Sequence, residues 1–201
     1  MNNNGTSRTL FMVELALMVA VIFVMAFTPL GYFQTGGLSI TFLTVPVAVG
    51  AMMMGPGGGA VCGLAFGLTS FLQCFGMGAF GTMLFSINPV GTAFVCIVPR
   101  IAEGWLCGLI FQAARKKLGK TAYFLGSISC PVLNTLLFMT ALVAVFFRTD
   151  YIQGYAQTLG VTNPFLFAVL FVGLQGLIEA AVCTGVAWAV SRALAAAFRR
   201  G

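Results

Sequence analysis

The sequence predicts an all-α integral membrane protein with six transmembrane helices and both termini in the cytoplasm. Three observations carry this expectation. Hydrophobic residues fill 60% of the 201 positions and charged residues 7%, against about a quarter charged in a soluble domain. The mean hydropathy is +1.03. The basic residues collect at the ends of apolar runs, and a count of six helices puts nearly all of them on one side. So few charges cannot clothe a water-facing surface, so the surrounding solvent must be a lipid bilayer.

Helix 1 is expected from Arg8 to Phe27, ending at Thr28-Pro29. Its apolar run exceeds the about 7–15 residues of a signal-peptide core and no A-x-A site closes it, which predicts a retained first helix. Leu30 to Ser39 holds Tyr32, Gln34, Gly36 and Gly37 and reads as a loop or interfacial turn. Helix 2 is expected over Ile40 to Met54, with Pro46 tolerated inside it where neighbours satisfy the freed carbonyl. Gly55-Pro56-Gly57-Gly58-Gly59 forms a tight turn into helix 3, Ala60 to Gln73. Helices 2 and 3 are short for a full span, so each is expected to borrow residues from its flanks.

A glycine-rich loop, Cys74 to Pro89, leads to helix 4, Val90 to Gln112, which stops at Arg115, Lys116, Lys117 and Lys120. Helix 5 covers Thr121 to Phe147 with Pro131 inside. A polar loop, Arg148 to Pro164, precedes helix 6, Phe165 to Ala197, which ends in Phe198-Arg199-Arg200. Residues 1–201 thus read as a single membrane domain. Arg8, the Arg115–Lys120 cluster, Arg192, Arg199 and Arg200 fall on the inner side, leaving Arg148 and the deeper Arg100 outside. Gly63-x3-Gly67 and Gly104-x3-Gly108 place small residues on single helix faces, where backbones can approach closely.

Composition also excludes function classes. The net charge of +6 forms no stripe along a polar face, so no nucleic-acid partner is expected. Histidine is absent, and the six cysteines are scattered without a CxxC pair. No metal, cofactor or disulfide framework is expected, and the cysteines read as small apolar packing residues. Neither a G-x-x-x-x-G-K-[ST] run nor a G-x-S-x-G elbow is present, so the chain is not expected to be an enzyme and any energy must come from elsewhere.

Three of the four acids, Glu14, Glu103 and Glu179, lie within apolar runs, as does Arg100. Ionisable groups in hydrocarbon cost several kcal/mol unless paired or wetted, so each is a candidate for function. Glu14 sits two turns from Arg8 and reads as structural. Arg100 and Glu103 share a face of helix 4, about 15 Å from its outer end, next to Pro99, which removes a helix donor. Either they form an internal ion pair, or the Arg100 fork awaits an anionic ligand. Asn134 and Thr135 on helix 5, and Gln175 and Glu179 on one face of helix 6, reach a similar depth. Interhelical hydrogen bonding and a polar pocket open to the outside both account for this convergence.

The runs Thr44 to Gln73, Ile87 to Gly104 and Cys130 to Met139 resemble the substrate-binding S components of energy-coupling-factor (ECF) vitamin transporters, in the pantothenate-type branch. Val98-Pro99-Arg100 and Pro131 to Thr135 are the most specific elements. The resemblance implies an ATP-driven importer of a prokaryotic plasma membrane. This chain would capture a vitamin from outside at a site built from helices 4 to 6 and capped by the first and third loops. Its partners would be a transmembrane coupling subunit and two ATPase subunits. The site set it suggests is Arg100, Glu103, Asn134, Thr135, Gln175 and Glu179, with Gln73 and Asn88 at the edges of the Cys74–Pro89 loop. Ala16 and Ala20 match the small-x3-small motif by which such subunits dock onto the coupling subunit. Pantothenate suits this chemistry, with a carboxylate for Arg100 and an amide and hydroxyls for Asn134 and Gln175. The outer site would be carried inward by tilting, eased by outer loops whose only charges are Arg148 and Asp150. The alternative is an ion-coupled secondary transporter for a small anionic metabolite, with Glu103 or Glu179 as coupling acid.

Overall fold

A computed structural model describes the backbone at residues 3–29, 31–35 and 38–197, and side chains at 8–29, 31, 41–173 and 176–197. Seven α-helices are described: α1 Asn3–Ala26, α2 Thr44–Gln73, α3 Ala79–Ile87, α4 Pro89–Leu118, α5 Ala122–Phe146, α6 Asp150–Thr158 and α7 Pro164–Ala197. Among the described residues four stretches are long and apolar enough to cross a membrane: Arg8–Ala26, Thr44–Gln73, Pro89–Phe146 and Gly176–Ala197.

Two of these stretches are compound. Within α2, Gly55 leaves helical geometry at φ 79°, and the chain turns back on itself there. Gly50 then faces the Cys62 sulfur and Gly59 faces the Ala51 methyl. The reversal needs one residue in the left-handed region, which glycine enters without a Cβ penalty, and Pro56 opens the second arm where its missing N–H costs nothing. Pro89–Phe146 holds α4 and α5, joined by a 3-10 turn at Gly119–Thr121. A second break lies in α7, at Gly173 (φ 51°).

The segment before α2 differs from expectation. Tyr32–Thr35 and Leu38–Thr41 are strands, β1 and β2, paired antiparallel with Tyr32 opposite Thr41. Ile40 and Thr41 therefore belong to a hairpin, and helix begins only at Thr44. Among the described residues the fold is all-helical apart from this short hairpin, and helix 2 gains no residues from the flank before Thr44. Pro46 falls in the first turn of α2, where the amide it lacks has no intrahelical acceptor. The two expected loops also contain structure. The apolar run of α3 and the amphipathic α6, which buries Ile152 and Ala156, each form a short helix.

Two cores stack along the bundle. One gathers Ile22, Val47, Cys62, Phe66, Cys107, Phe111 and Cys130 from α1, α2, α4 and α5. The other gathers Leu84, Val95, Leu142, Phe146, Ile152 and Phe167 beneath α3 and α6. The first half of α1, the Gly55 reversal, the basic end of α4 and the last turns of α7 lie at one end. Pro56 packs on Gly108 there, and Glu14, Met54 and Leu194 line one cleft. The β-hairpin, α3 and α6 belong to the other end.

The α2–α4 contact fixes the height of the functional residues. Both expected glycine pairs are used. A Cβ on Gly63 would collide with the Arg100 carbonyl, and one on Gly59 with the Gly104 carbonyl. The helix backbones therefore touch, as small-x3-small faces allow.

Candidate functional site

The site is built around Arg100 on α4, which is 8% exposed. Helical geometry would have the N–H of residue 99 donate to the Val95 carbonyl, but Pro99 has no N–H. The Arg100 Nη1 donates to that carbonyl instead, at 2.8 Å. Proline thus frees an acceptor that orients the guanidinium. Two rings flank the group, with Phe138 of α5 4.3 Å and Phe66 of α2 5.4 Å from the guanidinium carbon. Rings at these distances stabilise a cation by their quadrupoles.

One turn along the same face, Glu103 is fully buried. Its partner is the Cys130 thiol of α5, which donates to Oε1 at 3.0 Å. The other oxygen, Oε2, is buried and has no hydrogen-bond partner among the described residues. Asn134 follows Cys130 by four residues and precedes Phe138 by four, so the three share one face of α5. Cys130 meets Glu103 and Phe138 meets Arg100, which puts Asn134 between the two contacts. Its Oδ1 is also buried without a partner among the described residues.

From α7, Glu179 comes within electrostatic range of Arg100 and Glu103. Its Oε2 accepts from the Thr41 N–H at the end of β2, 3.1 Å away. On the same side, the Cys183 thiol donates to the Thr41 carbonyl at 3.4 Å, and the Cys130 sulfur lies 3.5 Å from the Thr44 carbonyl. The hairpin and the start of α2 are therefore stitched to α5 and α7 at the level of the buried acids.

Arg100, Glu103, Asn134 and Glu179 thus come together from three helices. Thr135 is half-buried and turned about 100° from Asn134 around α5. Gln175 lies on α7, with its side chain outside the described residues, and Arg199 and Arg200 lie outside them altogether. The other two candidates serve helix ends. Asn88 caps α4, its Oδ1 accepting from the Gly91 N–H at 2.9 Å, about 18 Å along the helix from Arg100. Gln73 donates from Nε2 to the Ala26 carbonyl at 2.7 Å, tying α2 to α1.

Sequence reasoning missed Phe66, Phe138, Cys130 and the Thr41 amide. Phe138 had a signal, the four-residue spacing from Asn134; the Thr41 amide had none, because a backbone donor leaves no trace in composition. A separate apolar cleft of about 100 Å³ lies between α1, α2 and α7, lined by Glu14, Leu17, Met18, Val49, Met53 and Leu194. Glu14 is its one ionisable group, so the cleft lacks the converging polar groups that orient a small ligand.

Comparison with known proteins bears on this arrangement. A family profile described as the substrate-specific component of ECF transporters matches residues 10–191. The pantothenic acid transporter PanT of Lactococcus lactis is 33% identical over 119 residues, which span 54% of this chain and 59% of that protein. The pantothenate transporter PanT of Leuconostoc mesenteroides is 27% identical over 164 residues, 75% of this chain and 76% of that protein. The match thus spans less than two thirds of the length of the first relative.

Proposed function

The chain belongs to the substrate-specific component family of ECF transporters, and we propose that it captures pantothenate from outside the cell for an ATP-driven importer. It is a multi-pass protein of the plasma membrane. Six passes are supported by α1, the two arms of α2, α4, α5 and α7, taken in order. With six passes the basic end of the bundle faces the cytoplasm, carrying both termini, and the hairpin, α3 and α6 face outward.

One observation carries the ligand reading. Glu103 Oε2 and Asn134 Oδ1 are buried acceptors without partners among the described residues, beside a guanidinium held by two rings. A buried acceptor left unmet costs about 1–3 kcal/mol. The complementary ligand carries an anion for Arg100 and hydrogen-bond donors for the two acceptors. Pantothenate has a carboxylate, two hydroxyls and an amide N–H in one small molecule. The two relatives named above as pantothenate transporters support the same choice.

The chain acts as a binding subunit and hydrolyses nothing itself; energy comes from two ATPase subunits through a transmembrane coupling subunit. Ala16 and Ala20 are exposed on one face of α1, which suits close contact with that subunit. The ion-coupled transporter reading is not retained, because the family supplies a different energy source. The direct test is to purify the chain in detergent and identify by mass spectrometry the small molecule it retains. Pantothenate is expected. Retention of a different vitamin that pantothenate fails to displace would sink the assignment.

A further inference from the structure

Cys74 and Cys96 stand apart from the other thiols. Their sulfurs are 3.8 Å apart, one just past the end of α2 and the other within α4, at the end that the proposed function turns outward. Cys74 follows the last residue of α2, and its thiol donates to the Ser70 carbonyl at 3.3 Å. Cys96 lies on α4, one turn before Arg100 and on the same face. A small helix lies directly on the pair: a Cβ on Gly81 of α3 would sit 2.8 Å from the Cys74 sulfur. This helix hangs between two extended points. Gly76 has φ 117° and Gly78 is extended, as is Asn88 at the far end. All four of Cys74, Cys96, Cys107 and Cys130 are buried, but Cys107 and Cys130 belong to the core around Phe66 and Phe111.

We propose that Cys74 and Cys96 are a redox-modifiable pair whose disulfide staples the end of α2 to α4 and restrains the segment between them that carries α3. A disulfide needs the sulfurs to close to about 2.05 Å. Rotation of Cys74 away from the Ser70 carbonyl, at the free end of a helix, supplies that movement. The oxidant is a small-molecule disulfide acting by exchange. One of the two thiolates attacks one of its sulfurs and expels one small thiol. The other thiolate then attacks the protein sulfur of the mixed disulfide and expels the second. Two protein thiols and one small disulfide become one protein disulfide and two small thiols, with both protons ending on the small thiols. The bond closes a loop that contains all of α3, which narrows the conformations open to that segment. The outer face is where such oxidants persist. The direction of access therefore rests on the outward orientation of α3, while the reactivity of the pair does not.

The test uses the full-length chain in detergent, without ligand, treated with oxidised glutathione or with reductant. Peptide mass mapping is expected to find a Cys74–Cys96 cross-link. Hydrogen–deuterium exchange of amides 75–88 is expected to slow about tenfold or more in the oxidised chain and to recover on reduction. Cys74→Ser and Cys96→Ser should each abolish both effects. Failure to cross-link while other thiols become glutathionylated would overturn the proposal, as would a cross-link that leaves amide exchange in 75–88 unchanged. Both readouts need no vitamin, so failure to bind pantothenate would count against the proposed function alone. In right-side-out vesicles, a membrane-impermeant oxidant should cross-link the pair as fast as a permeant one, and a marked lag would overturn the outward access.

Discussion

Along the α2–α4 seam, backbone meets backbone: Gly59 sits on the Gly104 carbonyl and Gly63 on the Arg100 carbonyl. At the end that carries α3 and α6, rings meet rings. Phe80 of α3 packs against Tyr151 and Tyr155 of α6 and Phe171 of α7, with centroids 5.8 to 6.2 Å apart. The first kind of contact has no side chain to adjust, so it sets the relative height of two helices rigidly. The second offers torsions that can re-pack at modest cost. Arg100 has its carbonyl held by the seam and its guanidinium between Phe66 and Phe138. A binding subunit needs both properties, a fixed anchor below and a cover above that yields to a ligand.

Breaking the seam should have the largest effect. Gly63→Leu puts a side chain where the Arg100 carbonyl stands, and overpacking of this kind costs about 1–3 kcal/mol or more. We expect a clear drop in thermal stability in detergent and loss of ligand binding together. A stable protein with unaltered affinity would show that the seam does not position the site. Next comes the outer face of α1, which neither region uses. Replacing Ala16 and Ala20 by Trp should abolish co-purification with the coupling subunit and transport in liposomes while leaving vitamin binding in place. Intact assembly would refute that docking face.

The aromatic region should respond more gently. Phe80→Ala removes three ring contacts, each worth about 0.5–1.5 kcal/mol, from a partly exposed helix. We expect a small shift in melting temperature but faster release of bound vitamin in a chase experiment. If Phe80→Ala destabilised the protein as much as Gly63→Leu, the two regions would not differ in kind. The smallest effect is expected at the α6 surface. Gln157 is exposed, whereas Gln153 donates to the Phe147 carbonyl, so a charge there would also cost a contact. Gln157→Glu should spare binding and lower transport modestly, since a charge carried toward lipid costs about 2.5–3.5 kcal/mol on insertion scales. Unchanged transport would mean that low outer charge plays no part.

These contrasts also explain what could be read from the residues. The glycine seam was legible because four-residue spacing of small residues in apolar runs has one physical use. Helix 5 and the start of helix 4 were legible to within a residue, because their apolar runs exceed the length of a span, whereas α4 runs past Gln112 through Arg115, Lys116 and Lys117 to Leu118, since basic side chains in the last turn suit the helix dipole. Arg100, Glu103, Asn134 and Glu179 were legible as a group because charge and amide in hydrocarbon require a reason. Their partners were not. Glu103 meets Cys130, read as a packing residue, and Glu179 meets a backbone amide of a hairpin that alternates too briefly to announce a strand. Helices α3 and α6, at nine residues each, are too short for periodicity to separate them from loop. Gln73 and Asn88 were legible as polar residues flanking a loop, but not their bonds to the Ala26 carbonyl and the Gly91 amide, which hold helix ends.

The central claim is that Arg100 anchors an anionic ligand through a guanidinium oriented by the carbonyl that Pro99 frees. Calorimetry of pantothenate binding to folded Arg100→Ala and Arg100→Lys tests it most directly. A charge-assisted contact is worth about 1.5–3 kcal/mol, so Arg100→Ala should weaken binding by roughly 10- to 100-fold or more. Arg100→Lys should recover only part of that loss, because it keeps the charge and loses the fork. Affinity equal to wild type in Arg100→Ala would make the arginine a structural residue and contradict the account.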